Sequence, residues 1–299
     1  MAPTPNDHRR EQRKRRARVV GIVNATPDSF SDSGPRGTEA AIERGLAHLE
    51  HGAAVIEVGG ESNVSNRPPV PAAEEAARVI PVIERLVDAG AVISIDTHKP
   101  EVARQALAAG AAIVNDISGL AGPAGEMIEV CAEGDAGVVL MHTETPPKTP
   151  RWEEDLYPDG MATHLRRFFE ERLRALAAAG IPRERVILDP GPDFAKTPRQ
   201  TVEALRALPT LHDLGCEVML AVSRKDFIGA LTGRPPRRRE AGTYAALAAG
   251  LAAGADLLRV HDVTGTVEFL RVWEALVDGE EVPADLRIAD AVRREPAAE

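Results

Sequence analysis

The sequence predicts an α/β fold, a single-domain (β/α)8 or TIM barrel, on three observations. Eight short apolar runs recur along the 299 residues, and segments with helical periodicity separate them. Every run also ends in polar residues suited to catalysis or binding. Because such barrels gather their active sites at the carboxyl ends of the strands, the third observation favours a barrel as strongly as the first two.

The eight runs are rich in Val, Ile and Leu without strict alternation, which is typical of parallel strands buried on both faces. The first four are ARVVGIVN, AVIEVGG, AVISIDT and AAIVND, and they carry Asn24, Glu57, Asp96, Asn115 and Asp116. The second four are GVVLMH, RVILDPG, VMLAVSRK and LLRVHD, and they carry His142, Asp189, Ser223, Lys225, Arg259, His261 and Asp262.

The segments between the runs are predicted to be amphipathic helices. Examples are TEAAIERGLAHLEHGA, AAEEAARVIPVIERLVDAG, PEVARQALAAGA and MATHLRRFFEERLRALAAAG. Several end in Gly, which tolerates the left-handed conformation that stops a helix. A doubly wound open sheet is the alternative. It is disfavoured because no GxGxxG follows the first strand, and because polar residues follow all eight strands instead of those at a switch point.

Composition and charge set the domain boundaries and exclude some classes of function. We expect a basic disordered tail at 1–17, one barrel at 18–283 and a C-terminal tail at 284–299. A net charge of −10 argues against a general nucleic-acid surface, although the leader HRREQRKRRAR is basic. The sequence shows neither a membrane span nor a signal core, so a cytoplasmic protein with no membrane partner is predicted.

Two further features have ordinary structural interpretations. The two cysteines, Cys131 and Cys216, have neither CxxC spacing nor a disulfide pattern, and we expect both to be buried apolar fillers. The basic segment RPPRRRE, residues 234–240, follows the seventh strand. It could handle an anion, but a solvated loop is the default expectation.

The polar residues at the strand ends form a chemically coherent set. Asp96, Asn115, Asp189 and Lys225 offer groups that can hydrogen-bond a flat, nitrogen-rich ring. Arg259 and His261 suit a phosphate. Each residue alone could instead cap a helix or pair with an arginine, and His142 is expected to be a packed imidazole outside the pocket. Together they predict a site for a phosphorylated heterocycle.

The sequence motifs around these residues resemble those of the dihydropteroate synthase family of pterin-binding barrels. The resemblance spans nearly the whole chain. It is carried by IVNATPDSFSDSG, IEVGGES, SIDTHKPEVARQAL, AAIVNDISG, VLMH, ILDPGPDFAKT, SRKDFIGALTG and LLRVHDV. It implies condensation of 6-hydroxymethyl-7,8-dihydropterin diphosphate with 4-aminobenzoate to give 7,8-dihydropteroate, with departure of diphosphate as the first step.

The resemblance also implies roles for individual residues. Asn24 matches the ligand of the Mg²⁺ that holds the diphosphate, and Arg259 and His261 match its anchors. The pterin pocket and its surroundings match Asp96, Asn115, Asp189 and Lys225, with Met141 and Ile117 as apolar walls and Phe194 against aminobenzoate. Two loops, TPDSFSDSGPRG and ESNVSNRPPV, would close over the site, and a homodimer packed through barrel helices is expected.

Several residues depart from the family pattern, and those in the second loop, at Asp193 and at Asp226 fall on the aminobenzoate side. The second loop reads Glu-Ser-Asn-Val-Ser-Asn where Glu-Ser-Thr-Arg-Pro-Gly is usual, so Asn63 is left as its candidate phosphate donor. Glu57 replaces an aspartate, and Asp193 stands where glycine is common. Asp226 stands near the expected carboxylate of aminobenzoate, where like charges would repel. Alternatively, Asp226 is the N-cap of the next helix.

These departures leave alternatives to the synthase open. One is a divergent paralogue that binds pterin but lacks synthase activity or uses another nucleophile. Another is a pterin-dependent methyltransferase domain, which would not need the phosphate-binding residues at Asn24, Arg259 and His261. A purely structural barrel would not need polar residues at eight strand ends.

Overall fold

The computed structural model describes residues 16–26, 37–62, 68–122, 125–147, 149 and 153–294. Most of the basic leader lies outside this range. The central parts of the two loops that the sequence predicts to close over the site also lie outside it, and with them Asn63.

Eight parallel strands form a closed barrel in chain order, so the predicted TIM barrel is confirmed. The strands are β1 Arg18–Asn24, β2 Val55–Gly59, β3 Ile93–Asp96, β4 Ile113–Asp116, β5 Gly137–Met141, β6 Val186–Asp189, β7 Glu217–Leu220 and β8 Leu257–Val260. β1 pairs with both β2 and β8. This last pairing closes the barrel and rules out the open doubly wound sheet.

Helices on the outside connect the strands. Over the described residues they are α1 Thr38–Glu50, α2 Ala72–Asp88, α3 Pro100–Ala108, α4 Glu126–Ala132, α5 Met161–Ala178, α6 Pro198–Arg206, α7 Leu208–Leu211, α8 Asp226–Thr232, α9 Glu240–Ala252 and α10 Val263–Trp273. The four helices quoted from the sequence correspond to α1, α2, α3 and α5.

The barrel contains two separate apolar cores. The larger lies between the strands and the helices. The smaller comprises Val20, Val55, Val139, Ile187, Met219 and Leu257, with Ile113 packed against it. Strand residues contribute the whole of the smaller core. This is the arrangement expected when alternate side chains of a TIM barrel fill its interior.

The alternation of side chains along a strand explains why polar groups collect above the small core. Successive residues point to opposite faces, so the residue two positions further along shares the same face. Glu57 follows Val55, Asn115 follows Ile113, Asp189 follows Ile187 and Arg259 follows Leu257 by two positions each. Each polar side chain is therefore placed inside the barrel, one layer nearer the carboxyl ends of the strands.

The remaining elements agree with an enclosed core. Cys131 and Cys216 are buried and unpaired, as predicted, and burial raises the pKa of their thiols to about 12 and about 11.

Beyond residue 283 the described chain contains one 3₁₀ turn, Asp290–Val292. Within the described residues, no helix has the length and hydropathy needed to cross a membrane.

Candidate active site

Four of the predicted residues form one hydrogen-bonded network inside the barrel mouth. The Arg259 guanidinium, from β8, donates to the Glu57 carboxylate on β2 and, at 3.1 Å, to Asp96 Oδ2 on β3. Glu57 Oε2 accepts a 2.9 Å hydrogen bond from the amide of Asn115 on β4. Glu57 therefore links the arginine to the asparagine, and four strands share one polar cluster.

The network has two electrostatic consequences. Burial alone would lower the pKa of Arg259, but Glu57 and Asp96 outweigh it, so the pKa is raised and the arginine stays charged. Asn115 Oδ1 is buried, and no described residue donates a hydrogen bond to it. Because a buried acceptor without a donor costs free energy, this oxygen is suited to accept an N–H from a bound ligand.

A second group of predicted residues comes from β6, the loop after β6 and the loop after β7. The Asp189 carboxylate is buried and accepts a 2.8 Å hydrogen bond from the backbone N–H of Gly191. Burial raises the pKa of Asp189, and that hydrogen bond opposes the rise. Lys225 Nζ lies 4.3 Å from the centroid of the Phe194 ring, within the range of a cation–π contact.

A lysine that the sequence reasoning missed holds this loop together. Lys196 is buried, and its Nζ donates to the backbone oxygens of His142, Gly191 and Phe194 at 3.2, 2.9 and 3.0 Å. Burial lowers its pKa to about 7. Its position two residues after Phe194 is the only sequence signal, since a lone lysine in a loop normally indicates exposure.

Gly191 allows the loop after β6 to approach the end of β5 closely. Its φ of +63° lies in the left-handed region, and a Cβ there would lie 2.0 Å from the backbone oxygen of His142. Only glycine allows this approach between the β5 and β6 ends.

His261 follows β8 and is hydrogen-bonded to Ser223. Its Nδ1 lies 2.9 Å from Ser223 Oγ, and that oxygen also accepts the His261 backbone N–H at 3.2 Å. Burial, together with Arg224 and Arg259, lowers the pKa of His261 to about 3. The imidazole is therefore neutral near pH 7, so it can donate a hydrogen bond to an anion but brings no positive charge.

Asp193, one of the departures from the family pattern, caps helix α8. Its carboxylate accepts the backbone N–H groups of Asp226 and Phe227, at 2.5 and 3.3 Å. Thr201 Oγ1 lies 3.3 Å from the same carboxylate. Asp193 itself has a φ of +66°, a conformation that aspartate tolerates better than most residues. The loop after β6 is thus attached to the helix that follows Lys225.

The alternative that Asp226 is the N-cap of α8 is wrong. Asp226 is the first residue of α8, and Asp193 supplies the capping carboxylate instead. Asp226 Oδ1 accepts a 2.7 Å hydrogen bond from Arg239, while its side chain is 87% exposed. Arg239 is buried and also donates to the backbone oxygen of Arg224, so this member of the basic segment 234–240 is structural.

The other predicted residues are found at or next to strand ends. Asn24 ends β1 and is half-buried, whereas Met141 and Ile117, at the ends of β5 and β4, are buried. His142 is fully buried, with its ring centroid 4.7 Å from that of Phe168, which confirms a packed imidazole. Asn63 lies outside the described residues.

A closed parallel barrel with ionisable side chains collected at the carboxyl ends of its strands is the architecture of a (β/α)8 enzyme. The profile of the family described as "Pterin binding enzyme" matches residues 20–261. Dihydropteroate synthase of Synechocystis sp. is 41% identical over 88% of this chain and 91% of its own length. For dihydropteroate synthase of Bacillus subtilis the values are 38%, 89% and 90%.

Solved structures agree with the sequence relatives. Dihydropteroate synthase of Xanthomonas albilineans with 4-aminobenzoic acid is 45% identical, with a TM-score of 0.79 over 90% of this chain and 94% of that one. The same enzyme with 7,8-dihydropteroate is 44% identical, with a TM-score of 0.77, covering 90% of this chain and 95% of that one. The chain therefore belongs to the dihydropteroate synthase family of pterin-binding enzymes.

Proposed function

We propose that the chain is a dihydropteroate synthase of folate biosynthesis, a transferase that joins 6-hydroxymethyl-7,8-dihydropterin diphosphate to 4-aminobenzoate. The products are 7,8-dihydropteroate and diphosphate. The observation that carries this proposal is the polar interior of the mouth, where Asn115 has a buried acceptor to which no described residue donates and where the carboxylates of Asp96 and Asp189 are also buried. These groups match the N–H donors along the edge of a pterin ring.

In this proposal the pterin ring lies between the two groups of residues. Its N–H groups donate to Asn115 Oδ1 and to the Asp189 carboxylate, which is held in place by Gly191. Lys225 donates to the ring oxygen or a ring nitrogen. Burial lowers the pKa of Lys225, and Asp193 is the main group that opposes this. The apolar walls at Met141 and Ile117 exclude water from the ring.

Cleavage of the C–O bond to the diphosphate leaves the bonding pair on the diphosphate and a cation on the pterin methylene. Negative charge near the ring stabilises that cation, and Asp96 is aimed into the mouth by its hydrogen bond with Arg259. Arg259 has five N–H donors, so it can hold a phosphate oxygen while it keeps its carboxylate partners. Neutral His261 adds one further donor. The amine of aminobenzoate then attacks the methylene and loses a proton.

Magnesium fits this site as a partner of the substrate diphosphate. Asn24 would hold the ion through its amide oxygen, which is a hard ligand. Among the described residues, no cluster of three carboxylate or imidazole ligands adjoins Asn24. Mg²⁺ commonly keeps few protein ligands and binds through substrate phosphates and water, and it supplies charge neutralisation when bound.

The side of the pocket proposed for aminobenzoate contains Phe194, with Lys225 above its ring. The sequence predicts that the Asp226 carboxylate could repel the carboxylate of this substrate. Its hydrogen bond to Arg239 directs the group to a cation of the protein instead. A synthase with 4-aminobenzoate as its second substrate is therefore favoured over a paralogue that has lost it.

We propose further that the enzyme is a homodimer in the cytoplasm. Seven exposed apolar side chains lie between the end of α10 and the C-terminal segment, and these are Val272, Leu276, Val277, Val282, Leu286, Ile288 and Val292. Exposed apolar residues concentrated in one segment support the proposal of an interaction surface there. Two buried free cysteines suit a reducing compartment. Light scattering after gel filtration would test the dimer.

The decisive experiment is diphosphate release by the purified protein, with Mg²⁺ and the dihydropterin diphosphate, in the presence and absence of 4-aminobenzoate. We expect release that depends on aminobenzoate and forms dihydropteroate in equal amount. Lys225→Ala should abolish pterin binding, while Arg234→Ala, in the exposed basic segment, should not change it. Tight pterin binding without product would contradict the synthase.

A further inference from the structure

Three side chains near the end of β5 form a compact cluster that the proposed reaction does not use. His142 directly follows β5, Glu144 lies two residues further on, and His164 is on the first turn of α5. One nitrogen from each imidazole and one carboxylate oxygen all lie within 4.8 Å of one another. No second cluster of this kind occurs in the described part of the chain.

The His142 ring is the unusual member of the cluster. It is fully buried, and within the described residues neither of its ring nitrogens makes a hydrogen bond of good geometry. Its Nε2 lies 3.5 Å from Glu144 Oε1, which is longer than the roughly 2.7–3.2 Å of an N–H···O hydrogen bond. A buried imidazole without partners is unfavourable unless another group satisfies it.

Aromatic side chains surround the His142 ring. Phe168 and Tyr157 pack against it, with centroid distances of 4.7 and 6.0 Å. The Tyr157 hydroxyl donates to the backbone oxygen of Ala195 at 3.0 Å and so is engaged elsewhere. Glu144 Oε1, in contrast, lies only 2.6 Å from His164 Nε2.

We propose that His142, Glu144 and His164 bind a divalent transition-metal ion of the zinc class, with water as the fourth ligand. Two imidazoles and one carboxylate are a donor set that zinc takes, whereas Mg²⁺ and Ca²⁺ prefer oxygen alone. Metal–ligand bonds of about 2.0–2.1 Å in a tetrahedron place the ligand atoms about 3.3 Å apart. The His142–Glu144 distance already agrees, and the Glu144–His164 contact opens slightly.

The ion would hold the connection between β5 and α5 in place. His142 and Glu144 begin this connection, and His164 lies on the helix that ends it, so a shared ion fixes both ends. The His142 backbone N–H donates to the Asp189 backbone oxygen at 2.9 Å, and its backbone oxygen accepts from Lys196. The site is thus a structural support beside the pocket, distinct from the magnesium ligand at Asn24.

Among the described residues, two cations oppose metal binding: Lys196, which is close to His142, and Arg167. The Arg167 Nη2 lies 3.2 Å from His164 Nδ1, which selects the tautomer whose proton is on Nε2. Binding through Nε2 requires the other tautomer, so Arg167 must turn away. Its side chain is 60% exposed and can do so. Arg167→Ala is therefore expected to tighten metal binding.

The test uses the tag-free full chain stripped of metal with a chelator, in buffer with excess Mg²⁺. Cobalt(II) is added first, because its visible absorption reports a four-coordinate nitrogen and oxygen site, and Zn²⁺ is then titrated by calorimetry. The variants are His164→Gln and Glu144→Gln. Matched controls are His51→Gln and Glu171→Gln, whose side chains are exposed.

We expect one Zn²⁺ per chain, displacement of the cobalt spectrum, and a Tm that rises with Zn²⁺. Each ligand variant should weaken binding by at least about tenfold and lose the Tm shift, whereas the controls keep both. Because His142→Gln in the core could misfold, the test relies on the other two positions. Absence of the cobalt spectrum, or equal zinc binding by the ligand variants, would leave a metal-free hydrogen-bonded cluster and overturn the proposal.

Discussion

Glu57 illustrates how one residue can organise a site. Its carboxylate is 1% exposed and contacts both Arg259 and Asn115, so the extra methylene relative to aspartate spans two partners on different strands. These contacts connect β2 to β8 and to β4.

Removing the charge of Glu57 should destabilise the fold. Glu57→Gln removes the carboxylate that Arg259 contacts most closely, and breaking a buried pair is expected to cost about 3 kcal/mol. Glu74→Gln is the control, because its ion pair with Arg78 is at the surface and should contribute at most about 1 kcal/mol. Urea unfolding measures both, and equal effects would contradict a buried network.

Asp226 provides a second test at a single residue. Since its carboxylate is 87% exposed and pairs with Arg239, Asp226→Ser should change the KM for aminobenzoate by no more than about twofold. Because Arg239 is buried and keeps its hydrogen bonds to the backbone oxygens of Arg224 and Arg234, the loss of this pair is expected to cost about 1–3 kcal/mol of stability. Steady-state kinetics of the variant and the unaltered enzyme measure this KM. Binding that tightens tenfold would instead show that the carboxylate faces the substrate.

At the scale of an element, helix α8 depends on a cap from another loop. The two backbone N–H groups that Asp193 accepts are orphan donors at the start of the helix, which its own residues do not satisfy. Lys225 directly precedes this helix. Orientation of the lysine is therefore coupled to a residue 32 positions earlier in the sequence.

Asp193→Ala should destabilise the protein by about 1–2 kcal/mol through loss of this cap. It should also weaken pterin binding, since Lys225 loses its fixed position. Asp193→Asn is the matched variant, because asparagine tolerates the positive φ and keeps an acceptor oxygen. Thermal unfolding and pterin titration measure the two effects. An alanine variant that behaves like the asparagine variant would show that the cap is unimportant.

At the scale of the whole molecule, buried histidine makes stability depend on pH. The pKa of His261 is lowered to about 3 in the folded state, against about 6.5 in the unfolded chain. Between these values the unfolded state binds the proton and the folded state does not. The contribution of neutral His261 to the free energy of unfolding is therefore fully present above about pH 6.5 and is lost as the pH falls towards 3.

His261→Gln should remove this part of the acid sensitivity. We expect the unfolding free energy of the unaltered protein to fall by up to about 1.4 kcal/mol more per pH unit than that of the variant, within the window from 6.5 to 3. His51→Gln, at an exposed position, should keep the full slope. Urea unfolding at several pH values gives the slopes, and parallel curves for His261→Gln would contradict a neutral buried imidazole.

The whole barrel could be predicted because its rules are local and repetitive. Apolar runs, helical periodicity and polar strand ends each follow from a few neighbouring residues, and closure follows from eight repeats. The same rules predicted that Asp96, Asn115, Asp189 and Arg259 would meet, since parallel strands bring their carboxyl ends to one mouth. The sequence by itself therefore determined the fold, the position of the site and its polar character.

Only the tertiary structure decided which partner each polar group takes. Asp226 pairs with Arg239, Asp193 caps a helix that begins beyond Lys225, and a buried Lys196 joins three carbonyl oxygens. No spacing rule indicates these contacts, because each depends on the loop geometry after a strand and on the side chains that approach from other loops. Local periodicity determines where a residue lies in the barrel, whereas hydrogen bonds between distant loops determine what it contacts.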